Sequence, residues 1–139
     1  MFSNNRTEMR KIFFTAWNKH QQHLLIDGLD KQLVEIILLH PEYQSILNHP
    51  EKFQDYDFGT ENPFLHMSLH LAIREQVNTN RPLGIATIYK NLSEKLQDTQ
   101  QAEHRMLECL ENFLWETQQS GNAPDEKKYL MRLEELEKN

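Results

Sequence analysis

Apolar residues recur every three or four positions along most of the chain, and this spacing is typical of amphipathic helices. It predicts helices over residues 5–24, 29–39, 62–78, 85–96, 98–119 and 124–137, with a short helical piece that ends near residue 47. β-branched residues never gather into alternating runs, so no strand is predicted. We therefore expect an all-α fold, a compact single-domain bundle of about five to six helices.

The apolar stripe of each predicted helix identifies the side chains expected in the core. In the first helix the stripe runs from Met9 to His20, and in the second it begins at Leu29. The large aromatic residues are most simply assigned to the core as well. The full expected set is Met9, Phe13, Ala16, Leu29, Leu33, Ile36, Ile37, Ile85, Ile88, Leu92, Leu96, Tyr129, Leu133 and Leu136, together with Trp17, Phe64, Phe113 and Trp115.

Proline and short polar residues mark the predicted helix boundaries. Asn62 followed by Pro63 is a helix start, because the Asn side chain caps free N–H groups and Pro suits the first turn. Asp98 or Thr99 is expected to cap the next long helix, and Pro124 opens the last one. Residues 49–61 show no helical period, so we interpret them as an ordered loop held by aromatic side chains.

Length and composition exclude several classes of protein. A chain of 139 residues is most simply one domain, spanning 1–139. Its single cysteine, Cys109, cannot form an internal disulfide, which favours a reducing, cytoplasmic location. No apolar run suggests a membrane span, and a formal charge of −6 argues against nucleic-acid binding. Phosphate-binding glycine loops, Ser-His-Asp triads and CxxC pairs are absent from the sequence.

Candidate chemistry begins with His66 and His70 in the predicted helix 62–78. Residues four apart lie on the same helix face, so both imidazoles can reach one metal ion. They share that face with aliphatic Ile73 and Val77, which suggests burial, whereas Glu75 lies on the opposite, solvated side. A buried imidazole needs a partner for its nitrogen atoms, and a metal would supply one.

A second pair with the same spacing, His104 and Glu108, lies in the predicted helix 98–119. In helical bundles, metal sites are built from such pairs of side chains on two helices that face each other. Three imidazoles and one carboxylate suit zinc, iron or manganese. The sequence therefore predicts one divalent metal held by His66, His70, His104 and Glu108, with Glu108 as a ligand or as a base acting on bound water.

Other interpretations of these residues stay open. With 7 histidines in the chain, roughly a third of shuffled sequences would contain one such pair. His66 and His70 are alternatively core histidines hydrogen-bonded to each other's neighbours or to buried water. His20 is a further ligand, a hydrogen-bonding partner of a ligand, or a residue at the core boundary. His40 and His49 each precede a proline, and we expect both to cap the following turn. Buried Cys109 is expected to be inert.

Several segments together resemble a small bacterial family, the domain of unknown function numbered eighteen forty-one. The resemblance rests on 62–66, 70–73, 75–76, 108–110 and 114–116, and it extends to 40–43, 81–85 and 123–126. The family's pattern has His where this chain has Gln44, so a site that used that position would lack it here. The resemblance implies no activity.

Two functional hypotheses follow, and the sequence does not decide whether the protein is an enzyme. The first is a metal-binding helical protein, possessing either a closed structural site or an open catalytic one. The second is a non-enzymatic interaction module, in which an acidic helical bundle binds a protein partner or a second copy of itself. Its motivation is the net charge, the plain core pattern and the missing catalytic signatures.

Overall fold

All regular secondary structure in the part of the chain that the structure describes is helical, which confirms the all-α class. The structure, a computed structural model, describes residues 2–138 and the side chains of residues 6–138. Within this range no helix is both long and apolar enough to cross a membrane. The helices are α1 (Phe2–Gln21), α2 (Gly28–Leu38), a 3-10 turn (Pro41–Tyr43), α3 (Gln44–Leu47), α4 (Pro50–Phe53), α5 (Pro63–Thr79), α6 (Ile85–Leu96), α7 (Thr99–Ser120) and α8 (Glu126–Lys138).

The described residues form eight α-helices, so the predicted number of five to six was too low. The difference comes from α3 and α4, which are four residues each; α3 lies in the predicted short piece that ends near residue 47, whereas α4 was not predicted. One helical turn is too short to show a period in the sequence. For the same reason the predicted loop over residues 49–61 was partly wrong, because α4 occupies its beginning.

Short polar side chains cap the long helices where the sequence places them. The Asn62 carboxamide oxygen accepts a hydrogen bond from the Phe64 backbone N–H at 2.9 Å. The Asp98 carboxylate accepts from Gln100 and Gln101 at 3.0 and 3.1 Å. These contacts pair N–H groups that the helix itself leaves without acceptors, so both predicted starts are confirmed.

The Asp98 cap allows a first prediction. Asp98→Ala should destabilise the protein by about 1 kcal/mol, because two N–H groups at the start of α7 lose their acceptor. Asp98→Asn keeps that acceptor and should cost only a fraction of this. Chemical denaturation followed by circular dichroism measures both. Equal losses for the two variants would show that the charge matters and the cap does not.

The chain divides into two units, Met1–Leu71 and Ala72–Asn139. Helix α5 belongs to both, since its residues up to Leu71 lie in the first unit and the others lie in the second. The expectation of a single domain over 1–139 stays a prediction.

The first unit has a core in which α1, α2 and the beginning of α5 contribute apolar side chains. Phe14 and Phe64 lie in tilted contact, with ring centroids 5.4 Å apart. The Trp17 indole N–H donates to the Asn48 side chain at 2.8 Å, so its polar end is paired. Leu29 was expected in the core but is 50% exposed, since it lies in the first turn of α2. Buried core residues of this unit are Phe13, Phe14, Ala16, Trp17, Leu33, Val34, Ile36, Ile37, Leu47, Phe64 and Met67.

Arg10 is a buried cation within the first unit, at 1% exposure. Its guanidinium donates to the backbone carbonyls of Phe53 and Tyr56 at 3.1 and 2.7 Å. It also lies 5.2 and 5.0 Å from the ring centroids of Phe58 and Phe64. Burial lowers the pKa of Arg10 from its usual value. Arg10 thus attaches the segment after α4 to α1, a contact that the sequence pattern does not reveal.

In the second unit α6, α7 and α8 pack against one another. Phe113 of α7 stacks on Tyr129 of α8 with ring centroids 5.2 Å apart. The Tyr129 hydroxyl donates to the Gln76 side chain at 2.8 Å, and burial raises the pKa of Tyr129 well above its usual value. The expectation that Trp115 lies in the core was wrong, because its side chain is 62% exposed.

Candidate metal centre

The two histidines of α5 lie side by side, as their spacing predicted. The Nε2 atoms of His66 and His70 are 3.2 Å apart. Their rings meet edge to face, with centroids 4.8 Å apart and an interplanar angle of 78°. His70 is 3% exposed, so this pair lies at the buried side of the helix.

His40 joins this pair from the connection after α2, and sequence reasoning missed it. Its Nε2 lies 3.1 Å from Nε2 of His70. Its ring centroid lies 4.7 Å from that of His66 and 5.1 Å from that of His70. One nitrogen atom from each of the three rings lies within 4.8 Å of the other two. All three residues belong to the first unit, which therefore contains a three-histidine cluster.

Hydrogen bonding among the rings does not fully account for this convergence. An imidazole nitrogen carries either one proton or one lone pair, so it makes one strong hydrogen bond. Nε2 of His70 has two such neighbours, Nε2 of His40 and Nε2 of His66, and only one of them can be its good partner. A cation placed between the three atoms would accept a lone pair from each of them.

The spacing of the nitrogen atoms is close to that of a metal site. Zinc–nitrogen bonds of about 2.0–2.1 Å in a tetrahedron place two ligand atoms about 3.3–3.4 Å apart. The two separations at His70 are 3.1 and 3.2 Å. The third, between a nitrogen atom of His40 and one of His66, is within 4.8 Å, so the residues present fit a divalent ion.

A local motif orients His40. His40 precedes the 3-10 turn that Pro41 begins, and its Nδ1 lies 3.1 Å from the Glu42 carboxylate. Hydrogen bonds from its own backbone N–H and from His40 hold the pKa of Glu42 below its usual range. Tyr43 stacks on the His40 ring with centroids 4.9 Å apart, and burial raises the pKa of Tyr43. These contacts direct Nε2 of His40 away from Glu42 and towards His70.

The same three-residue motif recurs nine positions later without a cluster. His49 precedes Pro50, and its Nδ1 lies 3.2 Å from the Glu51 carboxylate. The backbone of His49 (φ −128°, ψ 68°) nearly repeats that of His40 (φ −127°, ψ 72°). Its side chain is 60% exposed, against 13% for His40. His40 and His49 occupy the N-cap positions of the turns that follow them, as expected, but neither imidazole makes a capping hydrogen bond.

The second predicted pair lies in the second unit, on α7. Nδ1 of His104 is 3.1 Å from the Glu108 carboxylate, in the one-turn arrangement that the spacing predicts. Their side chains are 44% and 60% exposed. Exposed pairs of this kind are common on helix surfaces. The participation of His104 and Glu108 in a metal site stays a prediction.

The other two candidate residues, His20 and Cys109, lie among packed side chains outside the three-histidine cluster. His20 packs against the Trp17 ring with centroids 5.2 Å apart, at the edge of the core. Cys109 is a partly buried free thiol, and burial raises its pKa, which agrees with the expected lack of reactivity.

One signal in the sequence could have indicated the role of His40. In the segment His40-Pro41-Glu42, the carboxylate lies two residues after the histidine and can accept a hydrogen bond from its imidazole.

Comparison with known proteins assigns the chain to a family, but it does not assign an activity. The family model described as Domain of unknown function (DUF1841) matches residues 5–135. The chain belongs to this family. The match confirms the resemblance stated from the sequence, and it includes all three histidines of the cluster. No curated protein and no solved structure matches the chain.

Proposed function

We propose that this protein binds one divalent metal ion through Nε2 of His40, His66 and His70. The observation that carries the proposal is the convergence of the three nitrogen atoms, two pairs of which are 3.1 and 3.2 Å apart. His70 is 3% exposed, so the cluster is shielded from bulk water on this side, as the surroundings of a metal site usually are. The second support is Glu42, which occupies the position of an outer carboxylate behind a metal-binding histidine.

Zinc is the ion that we expect first. Neutral imidazole is a good ligand for zinc and iron, and three imidazoles with no thiolate do not favour a soft ion. Iron and manganese are the other ions that the sequence predicts. Three protein ligands are the number that catalytic zinc sites use, with a water or substrate in the fourth position. We therefore propose an open site and leave the reaction undefined.

Elemental analysis tests this proposal. The protein is expressed without a polyhistidine tag and purified without an immobilised metal, and its metal content is then measured. We expect about one zinc, iron or manganese ion per chain, with absorption spectroscopy at the metal edge showing nitrogen ligands. A metal-free protein that also fails to bind added zinc would overturn the proposal.

We propose, as the second candidate, a non-enzymatic module that binds a protein partner. The observation in its favour is the exposed indole of Trp115, which borders a groove in the second unit lined also by Arg105, Arg132 and Leu136. Exposed tryptophan and arginine are enriched at the centres of protein interfaces.

One pair of variants separates the two candidates. If the module hypothesis holds, Trp115→Ser should lose a partner that co-purifies from the native host and should keep its metal content. His66→Gln should keep the partner. If the metal-site proposal holds, His66→Gln should lose metal whatever happens to the partner. Retention of the same partner by Trp115→Ser would remove the groove from consideration.

We also propose that the protein works in the bacterial cytoplasm. The single Cys109 is a free thiol, as is usual in reducing compartments, and the bacterial source rests on the family resemblance. Localisation of a fluorescent fusion in the native host tests this.

A further inference from the structure

The two His-Pro-Glu segments of the chain form a natural comparison. In both, Nδ1 of the histidine lies close to the carboxylate two residues on, at 3.1 Å for Glu42 and 3.2 Å for Glu51. The backbone of the two segments is nearly the same. They differ in the surroundings of the histidine side chain. Nε2 of His40 lies 3.1 Å from Nε2 of His70, whereas the His49 side chain is 60% exposed.

From this comparison we infer that Glu42 is a positioning residue, which fixes the tautomer of His40 and thereby strengthens metal binding by Nε2. The inference rests on the proposed metal site and deepens it. Glu42 lies on the far side of the ring from the cluster, so it acts through His40 and has no direct contact with the ion.

The first step concerns the proton of a neutral His40 ring. A carboxylate accepts hydrogen bonds and has no proton to donate, so Nδ1 beside Glu42 must be the nitrogen that carries the proton. Nε2 then holds the lone pair and faces Nε2 of His70 at 3.1 Å. The carboxylate thus selects the tautomer that a metal at the cluster requires.

The second step concerns the stiffness of this arrangement. The Glu42 carboxylate lies in the first turn of the 3-10 helix, 3.1 Å from Nδ1 of the His40 ring. Tyr43 covers one face of the His40 ring. The ring is therefore held at Nδ1 and on one face before any ion arrives, and less rotational freedom is lost when the ion binds.

The tautomer is measured directly in the metal-free protein. Long-range proton–nitrogen correlation spectra of labelled protein distinguish the two neutral forms, at about pH 8, above the usual histidine pKa. We expect His40 to be protonated at Nδ1 in the wild type and to become a mixture of tautomers in Glu42→Ala. A His40 ring protonated at Nε2 in the wild type would overturn the inference.

Zinc affinity is the second measurement. Glu42→Ala should weaken zinc binding by about 10- to 100-fold, the usual effect of removing an outer-sphere partner. Glu42→Gln retains an acceptor oxygen and should recover most of this loss. Glu51→Ala is the matched control, because it removes the equivalent carboxylate from His49. It should leave zinc affinity unchanged, and an equal loss there would show that helix-end charge and not positioning is responsible.

The outcomes distinguish this inference from the proposed function. A wild-type protein that binds no zinc overturns the metal site itself, while the tautomer measurement still decides whether Glu42 positions His40. If the wild type binds zinc and Glu42→Ala binds it equally tightly, with the same His40 tautomer, only the role of Glu42 is overturned.

Discussion

His70→Ala should lose metal binding more completely than any other single substitution in the chain. His70 is the member of the cluster whose Nε2 is close to both of the others, at 3.1 Å from His40 and 3.2 Å from His66. Loss of a direct ligand should exceed the effect of losing an outer partner, so we expect affinity to fall by more than about 100-fold. Competition with a zinc-binding dye measures it.

His49→Ala is the matched control for this experiment. It removes an imidazole from the same His-Pro-Glu setting but from an exposed position, and zinc affinity should not change. His40→Ala serves as a second test of the cluster, because His70 is buried and its removal also leaves a cavity. Zinc affinity that is preserved in both His70→Ala and His40→Ala would contradict the proposed site.

Arg10→Met should be the most destabilising substitution outside the apolar core. Met keeps much of the aliphatic volume, but the carbonyls of Phe53 and Tyr56 lose their hydrogen bonds to a buried guanidinium. A hydrogen bond to a charged group contributes about 1.5–3 kcal/mol, so we expect a loss on the order of 3 kcal/mol. The contacts with the rings of Phe58 and Phe64 are lost as well.

Urea denaturation followed by tryptophan fluorescence checks this loss. The chain has 2 tryptophans, so a Trp115→Phe background leaves Trp17 as the reporter in the first unit. Arg6→Met is the control, because Arg6 bonds Asp55 from a side chain that is 43% exposed. Surface pairs of this kind contribute about 0–1 kcal/mol. Equal losses for both variants would show that burial of Arg10 is not the source of its effect.

Zinc should also raise the stability of the protein if the cluster forms only in the folded chain. An ion that binds the native state alone stabilises it by an amount that grows with ion concentration, about 2.7 kcal/mol at 100 times the Kd. We expect the melting temperature to rise with added zinc in the wild type and in His49→Ala. It should stay constant in His70→Ala. Scanning calorimetry measures all three.

Local features of the fold could be predicted because their causes lie within a few residues. Asn62 and Asp98 cap helices through hydrogen bonds to backbone groups two or three residues on. Likewise, His66 and His70 meet because one helical turn separates them. The single-turn helix α4 escaped prediction, since four residues are too few to show a period.

Features that depend on distant residues could not be predicted in this way. Periodicity says which face of a helix is apolar but not which other element covers it. Trp115 is an apolar residue on a predicted helix, yet its side chain is 62% exposed. Arg10 is charged and nevertheless buried, because carbonyls more than 40 residues away surround its guanidinium.

The sequence by itself determined the helical class, the main helix starts and the pairing of His66 with His70. Each of these follows from backbone hydrogen bonding and from side chains within one turn of each other. Only the tertiary structure decided that His40, 30 residues before His70, completes the cluster. Packing brings distant segments together for reasons of shape and burial, and so the third ligand of the proposed site became visible only in the folded chain.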